Sequence, residues 1–248
     1  MKRIALLAGC LLFVSCGGGG GEEGGSGANR CEAFKILNGG ECTSDSLPVV
    51  LLEINGTSNC TGTIISNDHV LTAAHCVTGA QSVIARHDRG VQSATVARPN
   101  PLYRADPMAF DVGIFEFPNI ARNFGVSPAR ILLSRRLTVG DRIRVVGYGE
   151  DGTPALANGN PRGTELVVRA ISNGKVFTFF AEEDTGVCFG DSGGAITFDG
   201  RIVGTVQGGL NLLTPGSCAS GNINIFTDMQ VNGNADFVRQ VAPSVVFE

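Results

Sequence analysis

The sequence predicts an all-β protein closed by one short C-terminal helix, and three observations carry that prediction. From Pro48 onward the chain runs in short segments rich in branched and aromatic residues, separated by Gly, Asn, Asp and Pro. Spacing at 3.6 residues is nearly absent, and the regular recurrence of the runs fits barrels or a sandwich. Glycine numbers 35 against 14 Phe, 2 Tyr and no Trp, which supplies many turns and few large helix-packing side chains. At 248 residues the chain can build one large β domain or two small ones sharing an interface.

In chain order, Met1-Lys2-Arg3 and the apolar run 4–14 form the charged and hydrophobic parts of an export signal over residues 1–15, too short to span a bilayer as a helix. The segment Phe13-Val14-Ser15-Cys16 resembles the lipobox of bacterial lipoproteins, with Phe13 where leucine is usual. That resemblance implies a lipid on Cys16, a membrane partner through this anchor, and a place in the cell envelope or outside the cell. An ordinary secretory signal with an incidental cysteine is the alternative. Residues 16–29, with Glu22 and Glu23 as their only charges, read as a glycine-rich flexible spacer. With Cys10 in the removed segment and Cys16 lipidated, six cysteines remain, an even set that three disulfides would use in an exported protein.

Strands are expected over 49–54, 63–66, 81–86, 91–97 and 112–117. After a change of series near 134–141, further strands are expected over 142–148, 165–171, 175–180, 194–198, 202–206 and 223–227. Residues 234–241 form the helix, with Asn234 able to cap it and Phe237, Val238 and Val241 on one apolar side. A net charge of −4 leaves no basic field for nucleic acid.

The chemistry concentrates in Gly190-Asp191-Ser192-Gly193-Gly194, where glycines on both sides of a serine permit torsions closed to other residues and let a carbonyl approach backbone amides. A turn between strands is the commoner use of such residues. Upstream lie Leu71-Thr72-Ala73-Ala74-His75-Cys76 and Asp111-Val112-Gly113-Ile114-Phe115-Glu116. Together, in the order His, Asp, Ser, these segments closely resemble the signatures of trypsin/chymotrypsin-like serine proteases over about residues 36–248. The resemblance implies two six-stranded antiparallel β-barrels, the first over about 36–134 and the second over about 141–230.

It also implies a triad. A serine hydroxyl needs a base to remove its proton, and an imidazole needs a carboxylate behind it to hold one tautomer and stabilise the cation. Ser192, His75 and Asp111 would take these roles, with the Gly190 and Ser192 amides as the oxyanion hole. This chemistry calls for no cofactor or metal. His69 and His87 lack a comparable context and read as structural or surface residues.

By the same resemblance Cys60 pairs with Cys76 and Cys188 with Cys218. Relatives pair a cysteine at the Cys42 position across to the second barrel, but none lies near residues 161–166 here, which leaves Cys31 as its partner. Residues 30–35 are expected to be an activation segment. Cleavage between Lys35 and Ile36 by an activating protease would free an ammonium that pairs with Asp191. Gly186 stands where an aspartate would select Lys or Arg, so a non-basic residue is expected before the scissile bond. Asn224 replaces a usual pocket glycine, Gly209 keeps the mouth open, and Gln207-Gly208 departs from Ser-Trp in the substrate strand. The expected function is a serine endopeptidase acting on proteins or peptides. A surface binding module on a protease scaffold, or an esterase with the same triad, are the alternatives.

Overall fold

The computed structural model describes residues 47–150, 160–179, 186–211, 218 and 222–248. Two antiparallel sheets organise them, each curled into a half-barrel. The first contains β1 (Val49–Ile54), β2 (Ser58–Ile64), β3 (His69–Thr72), β4 (Val83–His87), β5 (Gly90–Ser93), β6 (Val96–Pro99) and β7 (Gly113–Glu116). Its strand order is β5-β4-β1-β2-β3-β7-β6. The second contains β8 (Arg142–Gly147), β9 (Arg162–Val167), β10 (Ala170–Ser172), β11 (Lys175–Phe179), β12 (Ala195–Phe198), β13 (Arg201–Asn211) and β14 (Asn222–Asp228). Its order is β10-β11-β14-β13-β12-β8-β9.

Among the described residues each sheet thus has seven strands where six were expected, because single runs change partner midway. In 91–97 the Ala94 amide donates to Val83 on β4, while the next amide, Thr95, donates to Glu116 on β7. That one-residue switch divides β5 from β6. In 165–171 the Val168 amide donates to Asp141 and the Arg169 amide to Phe177 on β11, which divides β9 from β10. The β10–β11 hairpin then turns on Asn173 and Gly174, with φ of 52° and 72°, the two positive torsions of a two-residue Asn-Gly turn.

Each sheet encloses its own core, with Leu52, Ile64 and Phe115 in the first and Ile143, Leu166 and Phe226 in the second. A third cluster lies in the seam, where Leu71 and Ile114 meet Ile202 and Met229. Two short helices, α1 (Ala74–Val77) and α2 (Ile120–Phe124), accompany the first sheet, and helix α3 (Asn232–Val241) seals this seam with Phe237 and Val238, both buried, and with Val241 packed at its margin. The expected cap is corrected here: Val231 precedes the helix without a side-chain cap, and Asn234 lies inside its first turn. Buried Asn234 is drawn inward by the Asp228 carbonyl, to which its amide donates at 2.8 Å.

Candidate active site

The register of β3 on β7 pairs Thr72 with Gly113, so the residues following β3 lie beside those preceding β7. Gly113 makes this approach possible, since a Cβ there would stand 2.4 Å from Val77 and 3.1 Å from the Ala73 carbonyl. The chain leaves β3 into a one-turn helix, α1 (Ala74–Val77), which carries His75. Asp111, fully buried, receives both donors that His75 offers it: the backbone amide on Oδ1 at 2.9 Å and the ring Nδ1 on Oδ2 at 2.8 Å. Two bonds to one carboxylate fix position and tilt together. They also commit the Nδ1 proton to Asp111, leaving Nε2 as an acceptor. The His75 side chain keeps 26% exposure, so an incoming group can reach it.

Ser192 arrives from the other sheet, in the turn before β12. Gly190 and Gly193 hold φ of 96° and 83° there. At Gly193 a Cβ would stand 2.0 Å from the Thr72 hydroxyl and 2.6 Å from the Thr61 carbonyl, so the turn lies hard against β2 and β3. Thr61 fastens it: its amide donates to the Ser192 carbonyl at 2.8 Å and its hydroxyl to the Gly190 carbonyl at 2.8 Å. The same hydroxyl accepts from the Tyr148 amide at 2.9 Å. Thr61 is thus a positioning residue that sequence reading did not single out, and only its place next to Cys60 could have drawn notice. Among the described residues the Ser192 hydroxyl makes no hydrogen bond to the His75 ring, and the Gly190 and Ser192 amides donate to no protein acceptor.

Asp191 points away from Ser192 into a sleeve of backbone. Its two oxygens accept from the Gly149 amide at 2.8 Å and the Cys188 amide at 2.9 Å. Gly147 and Gly149 form the walls, and a Cβ on either would stand 2.1 to 2.3 Å from the nearest carboxylate atom. Full burial pushes the Asp191 carboxyl up to about 7, against the smaller downward pull of the two amides and the Arg162 charge.

Disulfides join Cys60 to Cys76, beside His75, and Cys188 to Cys218, beside Asp191. Cys60, His75 and Cys76 bring their ligand atoms within 4.8 Å of one another, but both sulfurs are bonded to each other and offer no thiolate to a metal. Among the proposed specificity residues, Gly186 is buried and Gly209 exposed. Asn224 is fully buried, accepting from the Val187 amide at 3.0 Å and donating to the Thr178 hydroxyl at 2.9 Å. Gln207 turns inward and donates to the Met108 carbonyl at 2.6 Å. Gly208 lies at the bulge of β13 on β14. His69 bonds the Ser66 hydroxyl at 2.7 Å, and His87 stacks on Phe124, both away from Asp111. Cys16, Cys31, Lys35, Ile36 and Cys42 lie outside the described residues.

The family model for trypsin matches residues 36–235. Chymotrypsin-2 of Vespa crabro is 28% identical over 189 residues, covering 67% of this chain and 82% of its own. Duodenase-1 of Bos taurus is 29% identical over 206 residues, covering 73% of this chain and 82% of its own. The solved structure of HL collagenase superimposes with a TM-score of 0.69 at 22% identity, over 82% of this chain and 97% of that one, a likeness of fold.

Proposed function

From the premise that the chain belongs to the trypsin family of serine proteases, we propose that it is an exported, lipid-anchored serine endopeptidase made as a zymogen and acting through Ser192, His75 and Asp111. The observation that carries this reading is the doubly bonded His75–Asp111 pair with the Ser192 turn fastened beside it through Thr61.

His75 Nε2 takes the Ser192 proton as the serine oxygen bonds to the substrate carbonyl carbon, and the carbonyl electrons move onto oxygen. The Gly190 and Ser192 amides receive that oxyanion. Collapse expels the amine with the proton that His75 returns, leaving an acyl-enzyme. Water then attacks the acyl carbon, giving its proton to His75 and then to Ser192, and the acid leaves. Asp111 stays ionised, holding the Nδ1 proton and the imidazolium charge throughout.

Activation rests on Asp191. Its buried carboxylate lacks a bonded cation among the described residues, and the Ile36 ammonium freed by cleavage after Lys35 would supply one and settle the Gly190 amide. A Cys31–Cys42 disulfide would keep the cleaved domain attached to its Cys16 anchor. A non-basic residue before the scissile bond is favoured, because Gly186 offers no charge and the Asn224 amide is committed to Val187 and Thr178.

The test is labelling by a peptidyl organophosphonate. After cleavage at Lys35, one equivalent on Ser192 is expected. A processed, folded protein that takes up none would overturn the enzyme reading in favour of a binding module, and cleavage of esters without peptides would replace peptidase by esterase.

A further inference from the structure

The departure from Ser-Trp at Gln207-Gly208 sets a long amide side chain in β13. Val206 is fully buried in the core of the second sheet, so the next residue, Gln207, projects from the opposite face of the strand. The ladder breaks at the same point. Val206 pairs with Phe226 and Gly208 with Ile225, which leaves Gln207 as the extra residue of the bulge, without a cross-strand partner. A bulge re-aims the side chain it carries. Here that side chain turns inward to 5% exposure, and its Nε2 donates to the Met108 carbonyl at 2.6 Å. Its Oε1 is buried without a hydrogen-bond partner, so among the described residues Met108 is the one polar contact of this amide.

Met108 stands three residues before Asp111, in a loop that precedes β7 of the first sheet. The backbone between the two has little freedom. Met108 and Phe110 hold φ of 55° and 53°, a region that residues with a Cβ seldom occupy. Arg104 and Ala109 bond each other's main chain at 3.0 Å, and the Phe110 carbonyl accepts from the Val112 amide at 2.8 Å. So tightly folded a stretch moves as a unit, and a shift of the Met108 carbonyl turns the Asp111 carboxylate. On one side Phe110 abuts α3, where a Cβ on Gly233 would stand 2.6 Å from its ring. On the other side the second sheet reaches the loop through three side chains. Lys175 Nζ donates to the Pro107 carbonyl at 2.8 Å from an exposed position, and the Thr205 hydroxyl meets the Asp111 carbonyl at 3.4 Å, at the limit of a hydrogen bond. The Gln207 bond is the shortest of the three.

We propose that Gln207 is a positioning residue of the triad: by holding the Met108 carbonyl it fixes the Asp111 loop, and through it the two bonds by which Asp111 orients His75. The inference rests on the triad reading above. It complements the Thr61 bonds, which tie the Ser192 turn to the first sheet, because Gln207 ties the Asp111 loop to the second.

Gln207→Met keeps the length of the side chain, removes the donor and removes the orphaned oxygen, so the fold is expected to survive. The first readout needs no turnover. In the full-length chain carrying Ser192→Ala, the His75 Nδ1 proton bonded to Asp111 gives a far-downfield proton resonance, and Gln207→Met should move it upfield or lose it to exchange with water. The second readout is turnover of a chromogenic peptide by the cleaved enzyme with Ser192 intact, where kcat should fall at least about tenfold while KM stays within about twofold. Gln207→Asn, whose amide is one methylene short of Met108, should give the same two changes and carries the test if the methionine variant does not fold. An unmoved resonance together with a kcat within about twofold of the parent overturns the proposal, even if the melting temperature falls. A higher KM at unchanged kcat also overturns it, in favour of a Gln207 that touches substrate. A parent without turnover whose resonance is nonetheless lost on Gln207→Met removes the protease reading and leaves the positioning of Asp111 by Gln207 standing.

Discussion

Replacing Asp191 with asparagine should flatten the pH dependence of stability in the uncleaved chain. The carboxyl is raised from 3.8 to about 7 by complete burial. Between those values the folded chain holds a proton that the unfolded chain has released, so stability falls as pH rises. The contribution is fully present below pH 3.8 and is gone above about pH 7. Three pH units at about 1.4 kcal/mol each make the ionised form about 4 kcal/mol more costly to fold than the neutral one. Asparagine keeps the shape and removes the titration. Its amide nitrogen faces one of the Gly149 and Cys188 donors, which adds a penalty that does not vary with pH. The informative quantity is therefore the slope. Urea unfolding from pH 4 to 8, with Ser192→Ala in both proteins to prevent self-digestion, should show the parent losing about 4 kcal/mol more than the variant. Parallel curves would refute the assignment of a proton to buried Asp191. After cleavage at Lys35 the parent should lose this decline, because the Ile36 ammonium would stabilise the ionised form.

On the proposed triad, Asp111→Asn should leave the fold intact and lower kcat about 10⁴-fold by presenting the wrong imidazole tautomer, read on the cleaved enzyme with a chromogenic peptide. Gly149→Ala sets a Cβ 2.3 Å from the Asp191 carboxylate and should cost about 1–3 kcal/mol in urea unfolding. Asn224→Gly should raise kcat/KM for large apolar residues before the scissile bond at least tenfold relative to alanine in a peptide library. An unchanged profile would remove Asn224 from the specificity determinants. Converting Cys60 and Cys76 together to alanine opens a link across 16 residues and should cost about 3 kcal/mol of stability, seen as a lower urea midpoint.

The residues proposed for chemistry were legible before the fold because a nucleophile, a base and a carboxylate each need a particular neighbourhood, and each neighbourhood here is written in short contiguous motifs. Strand positions were legible as runs of branched and aromatic residues. Strand number was not, since the breaks at Ala94 and Val168 come from a change of hydrogen-bond partner across the sheet, which leaves no mark in hydrophobicity. Strand β3 escaped notice because it is four residues long and opens on His69. The first half of β2, Ser58-Asn59-Cys60, is polar enough to read as loop. Asn234 has the chemistry of a cap, but the buried Asp228 carbonyl, six residues back, claimed its side chain. Thr61 shows the same limit: its partners Gly190, Ser192 and Tyr148 lie far along the chain, and no local pattern announces them.

The Thr61 bonds divide responsibility between the two halves of the molecule. The proposed base and its carboxylate belong to the first sheet and the nucleophile to the second, and the serine's own carbonyl is hydrogen-bonded to a strand of the opposite half. A molecule whose halves have parted therefore keeps a serine without a base and an imidazole without a target. On the proposed mechanism such damage is silent: partial unfolding yields an inert chain rather than an unregulated protease, and turnover counts only molecules whose halves are docked.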